Sequence, residues 1–252
     1  MIPLRKFPFD KRVMVVAHRG DSGHAPENTL AAFRLAIASG ADMVELDVQC
    51  TRDRRLVVFH DGTLGRTTNG TGYISRKDYA AICRLDAGSW FAEQYLGERI
   101  PTLEETLALL AKKMYVNIEI KPVAARKDLV SLLIAAIRKH AMEQYVLISS
   151  FHHGVLKRIK DSAPDLATAI IQKPGVIIRR PVTSARRVHA DAIVCAVRQL
   201  SRVRCDDARD NGMPVCCYTV NTRRALTTAL RCGASAVVTN FPSEIITMMK
   251  RV

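Results

Sequence analysis

The sequence predicts an α/β protein of the closed (β/α)8 kind, and three observations carry that expectation. Short apolar runs alternate with helix-like segments about eight times along the chain. The runs are apolar at consecutive positions, as strands are when both faces of a parallel sheet are covered. Polar and ionisable residues gather where the runs stop, and the first run leads into His18-Arg19-Gly20 rather than the GxGxxG turn usual in a doubly wound sheet. A barrel builds its chemistry at the C-terminal ends of its strands. His18, Glu45, Asp47, His60, Glu119, Lys121, Ser150 and Tyr218 all fall at or near such ends.

Residues 13–17 read as the first strand. Pro26-Glu27-Asn28-Thr29 fits a tight turn into a helix over 28–39, with Leu30, Phe33 and Ile37 on one side and Gly40 as its stop. The first N–H groups of that helix could help to hold an anion. Residues 43–49 and 56–59 read as strands, the second breaking onto His60-Asp61. Residues 61–99 are different. Gly62, Gly65, Gly70 and Gly72 mix with Thr63, Thr67, Thr68 and Thr71, and Tyr79, Leu85, Trp90, Phe91 and Tyr95 then supply a small apolar cluster. The segment is long for a plain loop and short for a domain.

Regularity returns at residue 100. Thr102 caps a helix whose first turn holds Glu104 and Glu105. Strands are expected at 115–120, 146–149, 167–171, 192–195, 215–219 and 236–239. Helices are expected at 129–140, 153–161, 203–211, 222–231 and 243–249, with a basic connection (Arg179, Arg180, Arg186, Arg187) after the strand at 167–171. Residues 1–252 thus read as one barrel domain, with 62–99 as a small insertion after the strand ending at His60-Asp61.

A hydrophobic content of 48% and a charged content of 25% suit a globular domain. No apolar run reaches the roughly 18 residues of a membrane span, and Met1-Ile2-Pro3-Leu4-Arg5-Lys6 does not open a signal peptide. The seven cysteines form no CxxC pair; their odd number and strand-like settings suggest reduced thiols and a cytoplasmic location. The net charge of +14 favours anionic partners: a phosphate substrate, an acidic membrane surface or nucleic acid. No interleaved aromatic–basic platform supports a specific nucleic-acid partner.

Glu45 and Asp47 sit at i and i+2, on one face of a strand whose other face carries Val44, Leu46 and Val48. Glu119, in Asn117-Ile118-Glu119-Ile120-Lys121, repeats the pattern. Three carboxylates converging on a barrel mouth make a hard oxygen site for Mg²⁺ or Ca²⁺, whereas zinc more often recruits His or Cys. Surface carboxylates on an edge strand compete as an explanation of Glu45 and Asp47, and a plain salt bridge as one of Glu119 with Lys121. His18 and His60, each followed by a charged residue, suit a proton-transfer pair. Arg19 offers a multidonor fork for phosphate and Lys121 a point charge. His24 is a candidate pocket residue from the first loop, and Tyr218 and Phe151 are either pocket walls or core. His140, His152, His153 and His189 read as structural or solvated.

These residues resemble the glycerophosphodiester phosphodiesterase family nearly end to end. The resemblance runs through His18-Arg19-Gly20, Pro26-Glu27-Asn28-Thr29, Glu45-Leu46-Asp47-Val48, His60-Asp61, Arg66-Thr67-Thr68, Leu85-Asp86-Ala87-Gly88-Ser89-Trp90-Phe91, Ile118-Glu119-Ile120-Lys121, Ser150-Phe151 and Tyr218-Thr219-Val220-Asn221. It implies a TIM barrel with the small insertion already read. Glu45, Asp47 and Glu119 would bind the divalent cation, His18 and His60 would be general base and general acid, and Arg19 and Lys121 would hold phosphate. Asp61 would orient His60 or touch the metal region. The implied reaction converts a glycerophosphodiester, such as glycerophosphocholine or glycerophosphoethanolamine, to sn-glycerol 3-phosphate and an alcohol. A lysophospholipase D or sphingomyelinase D-like activity on lipid substrates is the alternative, and a homodimer is possible. Two departures stand out. Tyr218 replaces a common Trp, and Asn240 replaces the Asp that commonly ends the last strand. Asn240 is expected outside the metal and histidine sets, adjusting structure or substrate preference.

Overall fold

Eight parallel strands close on themselves in the computed structural model, which describes the chain apart from residues 2, 8, 10, 11, 122–127, 174–180 and 251–252. The strands are β1 (Met14–His18), β2 (Met43–Cys50), β4 (Tyr115–Ile120), β5 (Val146–Ser150), β6 (Ala167–Ile171), β7 (Ala192–Ala196), β8 (Val215–Tyr218) and β9 (Ala236–Thr239). Each pairs in parallel with the next in that order, and β1 pairs with both β2 and β9 to close the ring. The described helices are α1 (Leu30–Ser39), α2 (Tyr79–Ile82), α3 (Leu103–Leu110), α4 (Leu129–Lys139), α5 (His153–Ser162), α6 (Pro181–Arg186), α7 (Arg202–Asp210), α8 (Arg223–Cys232) and α9 (Pro242–Met249). The expected (β/α)8 barrel is therefore present.

Alternation along each strand explains the layers. Val44, Leu46 and Val48 of β2, Val116 and Ile118 of β4 and Ile148 of β5 face the helices, where they pack with Leu103, Leu107, Leu133 and Ile137. The intervening residues Met14, Val16, Met43, Tyr115, Leu147 and Ala169 fill the ring interior. Helix ends follow local chemistry. The Thr29 hydroxyl accepts from Ala32 N–H, and Gly40, at φ 77°, closes α1. Thr102 and Glu105 form a capping box on α3.

Three expectations are corrected. The first helix starts at Leu30 rather than 28, because Asn28 is left-handed at φ 59° and Thr29 is the cap. The run at 56–59 becomes β3 (Leu56–Val58), which lies outside the ring. It pairs antiparallel with the last residues of β2, Val48 opposite Val58 and Cys50 opposite Leu56. The chain thus turns back toward the barrel before entering the segment 62–99, whose Leu64, Ile74 and Ile82 pack together with Val57, Phe59 and Ile100. The basic connection contains α6, where the Arg186 guanidinium bonds the Asn211 side chain; Arg179 and Arg180 lie outside the described residues.

Candidate active site

Register alone brings the carboxylates together. Glu45 lies opposite His18 on β1, and Asp47 lies opposite Glu119 on β4. All three carboxylates are buried, Asp47 completely, and one oxygen from each lies within 4.8 Å of the others. Among the described residues this is the one cluster with such spacing. The edge-strand reading of Glu45 and Asp47 therefore falls, because β2 is paired on both sides and wholly buried. The salt-bridge reading of Lys121 holds alongside the cluster: its ammonium is 2.5 Å from Glu119 and 2.8 Å from Asp47.

The electrostatics divide the three acids. Burial opposes ionisation of Asp47, yet Lys121 and Arg19 hold its carboxyl far below the usual range. Burial, with the Asp47 and Glu119 charges, pushes Glu45 well up. Burial and the Asp47 charge raise Glu119 to about 7. Such a cluster could hold a divalent ion. The donors are hard oxygens, buried and mutually close, and two of them carry negative charge only at a cost that a cation would relieve.

His18 ends β1 with its Nδ1 2.7 Å from Asn240 Oδ1 and its Nε2 4.0 Å from Glu45. An amide oxygen only accepts, so Nδ1 carries the hydrogen and Nε2 is the free lone pair. Burial, then the Arg19 charge, lowers this histidine to about 4. Asn240 is thus in direct contact with the histidine set, which overturns the expectation that it lies outside. No local pattern reports that contact, since the partners are 222 residues apart.

Arg19 follows at φ 57°, its N–H on Glu45 at 3.0 Å, its Nε 3.2 Å from Asp47 and its Nη1 2.9 Å from Glu27. Gly20 has no room for a side chain: an added Cβ would come within 2.6–2.8 Å of Ala32 on α1. His60 reaches the mouth by a different route from the strand end expected of it. It follows β3 on the chain returning toward the barrel, with Phe59 N–H on the Asp47 carbonyl at 2.9 Å. Its Nδ1 is 2.6 Å from Asp61 Oδ1. Burial lowers His60, while the Asp47 charge and the Asp61 bond oppose that shift.

A cavity of about 510 Å³ opens beside these groups, lined by Gln49, His60, Asp61, Glu119, Lys121 and Phe151, with Gly62 and Thr63 at its edge. Tyr218 is half-buried on the far side of the ring, its hydroxyl 3.4 Å from the Gln172 carbonyl. Burial, then the charge of Glu119, raises that hydroxyl to about 12. Both aromatics also pack on the ring interior, and of the two Phe151 is the one that lines this cavity. His24 stands apart on the rim, bonded to Asp21 at 2.8 Å, 3.2 Å from Glu244 and edge-on to Phe241.

Four residues that carry no site role in the sequence reading also meet the site. Gln49 shares the inward face of Glu45 and Asp47, and its amide donates to the carbonyls of Phe59, His60 and Asp61, fixing the His60 turn. The same i, i+2 rule extended by one step finds it. Asn28 donates to Asp47 at 2.8 Å and accepts from its N–H at 3.2 Å. Glu27 and Arg66 form ion pairs with each other and with site residues.

Residues 18–244 match the profile of the glycerophosphoryl diester phosphodiesterase family. A glycerophosphodiester phosphodiesterase of Caldanaerobacter subterraneus subsp. tengcongensis is 37% identical over 95% of this chain and 99% of its own. One from Bacillus subtilis is 33% identical over 92% of this chain and 84% of its own. Among solved structures, a phosphodiesterase of Oleispira antarctica in complex with the product sn-glycerol 3-phosphate superposes with a TM-score of 0.86 at 30% identity, covering 96% of this chain and 98% of that one.

Proposed function

The chain belongs to the glycerophosphoryl diester phosphodiesterase family, and on that premise we propose that it hydrolyses small glycerophosphodiesters to sn-glycerol 3-phosphate and an alcohol with His18 and His60 as its acid–base pair. The observation that carries this reading is the convergence, at one end of the ring, of two histidines with opposite supports around three buried carboxylates. His18 rests on a neutral amide and beside Arg19, a setting that keeps it unprotonated and suits a base. His60 rests on the Asp61 carboxylate, which stabilises an imidazolium and suits an acid.

In the proposed first step the glycerol 2-hydroxyl gives its proton to His18 Nε2 as its oxygen bonds to phosphorus. The bond from phosphorus to the alcohol oxygen breaks, and His60, entering the step as an imidazolium, gives its Nε2 proton to that leaving oxygen and keeps the Nδ1 hydrogen toward Asp61. Water then opens the cyclic phosphate with the two roles reversed. Arg19 and Lys121 oppose the charge that grows on the phosphoryl oxygens. Glu45, Asp47 and Glu119 would hold a divalent cation, Mg²⁺ or Ca²⁺. Bound there, it would supply Lewis acidity toward the phosphate and lower the pKa of the attacking oxygen.

The mouth favours a polar head group over an acyl chain. Among the described residues its lining is polar apart from Phe151 and Gly62, and Leu64, Ile74, Ile82 and Ile100 are turned inward, each at most 2% exposed. The test is release of sn-glycerol 3-phosphate from glycerophosphocholine by metal-stripped protein, before and after Mg²⁺ or Ca²⁺, with His18→Ala in parallel. Metal-restored release that His18→Ala abolishes is expected. A folded protein that releases none in either metal sinks the reading and turns the search to lysophospholipids.

A further inference from the structure

We propose that Arg66 is a positioning residue that sets His60 and Arg19 together, holding each through its own carboxylate; this rests on the roles just proposed for those two residues. Arg66 ends a short 3-10 turn (Leu64–Arg66) of the segment 62–99. Its Nε and Nη2 lie 2.6 and 3.2 Å from the two oxygens of Asp61, and its Nη1 and Nη2 lie 3.0 and 2.7 Å from those of Glu27. One planar fork therefore grips two carboxylates, a geometry an ammonium cannot reproduce. Each carboxylate passes the constraint on: Asp61 Oδ1 to His60 Nδ1 at 2.6 Å, Glu27 Oε1 to Arg19 Nη1 at 2.9 Å.

The base of the fork is firm. Leu64 is fully buried, its N–H bonds the Gly72 carbonyl, and the Thr68 hydroxyl closes on the Leu64 carbonyl at 2.8 Å. This is a physical reason for Arg66-Thr67-Thr68 to stand together. The consequence falls on His60. With Asp61 fixed as an acceptor, Nδ1 must carry the hydrogen and Nε2 faces the reaction. The Arg66 bonds are also the first cause that holds the Asp61 carboxyl at about 2. The Arg66 side chain is 44% exposed, so its removal opens no core, and its ion pairs contribute little to stability.

The experiment compares Arg66→Gln, Arg66→Lys, Asp61→Asn, Glu27→Gln and the double variant Arg66→Gln/Asp61→Asn with wild type, reading kcat and KM on glycerophosphocholine and the His60 tautomer by imidazole ¹⁵N NMR. Arg66→Gln and Arg66→Lys are expected to fold, to lose about 10–100-fold in kcat, as when an outer-shell support is removed, and to raise KM. Asp61→Asn should carry the kcat loss and Glu27→Gln the KM rise. Adding Arg66→Gln to Asp61→Asn should cost little further kcat, because the two act as one unit. Read above the pH at which His60 loses its Nε2 proton, wild-type His60 should be the Nδ1–H form, and Arg66→Gln a mixture. Kinetics within twofold of wild type in Arg66→Lys, full multiplication of the kcat losses, or an unchanged tautomer overturns the proposal. Inactive wild-type protein overturns the diesterase reading instead, and the tautomer then decides the role of Arg66 alone.

Discussion

The two ends of the ring are built from the same strands and share almost no chemistry. At the N-terminal end, Met14, Met43, Tyr115, Leu147, Ala167, Ala192 and Ala236 turn inward, and the segment before β1 seals them with Leu4 and Phe7. The Leu4 N–H bonds the Gln144 carbonyl, and Phe7 packs edge-on against Tyr115. An apolar cavity of about 400 Å³ remains there, bordered by Met14, Val16, Met43 and Leu147. Two to four residues further along the strands, the same inward face holds His18, Glu45, Asp47 and Glu119. The first end lowers free energy by removing apolar surface from water, about 25 cal/mol per Å². The second holds like charges out of water at 4.8 Å or less, which no packing argument favours. Apolar packing and the cluster of ionisable groups are thus separated along the strand axis.

The sharpest test of that separation is at the mouth. His18→Ala or His60→Ala should cut kcat by about 10²–10⁴-fold, the usual worth of a positioned acid or base, while thermal unfolding shifts by only a few degrees. A large loss of stability with the activity would break the comparison. Next in size, Leu147→Ala at the apolar end should cost about 2–5 kcal/mol in a denaturant titration and leave kcat unchanged at a temperature where the variant is folded. Third, saturating Mg²⁺ or Ca²⁺ should raise the melting temperature of wild type, by about 2.7 kcal/mol in free energy at a hundred times its dissociation constant. Glu119→Gln should lose most of that rise, and calorimetry with and without chelator reads the difference.

The smallest effect concerns pH. Asp61 is depressed from 3.8 to about 2 in the folded chain. The unfolded chain therefore binds this proton first as pH falls, and stability is withdrawn between about 4 and 2. Asp61→Asn should flatten that part of the stability curve, lowering stability above about pH 4 while leaving the slope above pH 5 unchanged. Denaturant midpoints at pH 5, 3.5 and 2.5 decide it.

What the sequence disclosed followed from periodicity. Glu45 and Asp47 alternate with Val44, Leu46 and Val48, and that pattern places both acids inward whatever the partners of β2 are. Glu119 and Lys121 were legible for the same reason, and the other six ring strands from their short, mostly apolar runs. Contacts between distant loops were not. Nothing local distinguishes the antiparallel turn-back of β3 from another ring strand, since three residues carry too few alternations. Asn240 illustrates the limit most clearly, because it read as a lost charge, whereas its oxygen does the orienting that a carboxylate would do and withholds only the negative charge.

That same bond joins the first ring strand to the residue just after the last, and with it comes an order of events. A nascent chain that has emerged only as far as β8 already contains all three carboxylates, both histidines and the whole segment 62–99. It lacks the strand that closes the ring and the Asn240 amide that meets His18. Such long-range closure comes late in folding. His18 thus has its tautomer support only where the last strand lies beside the first.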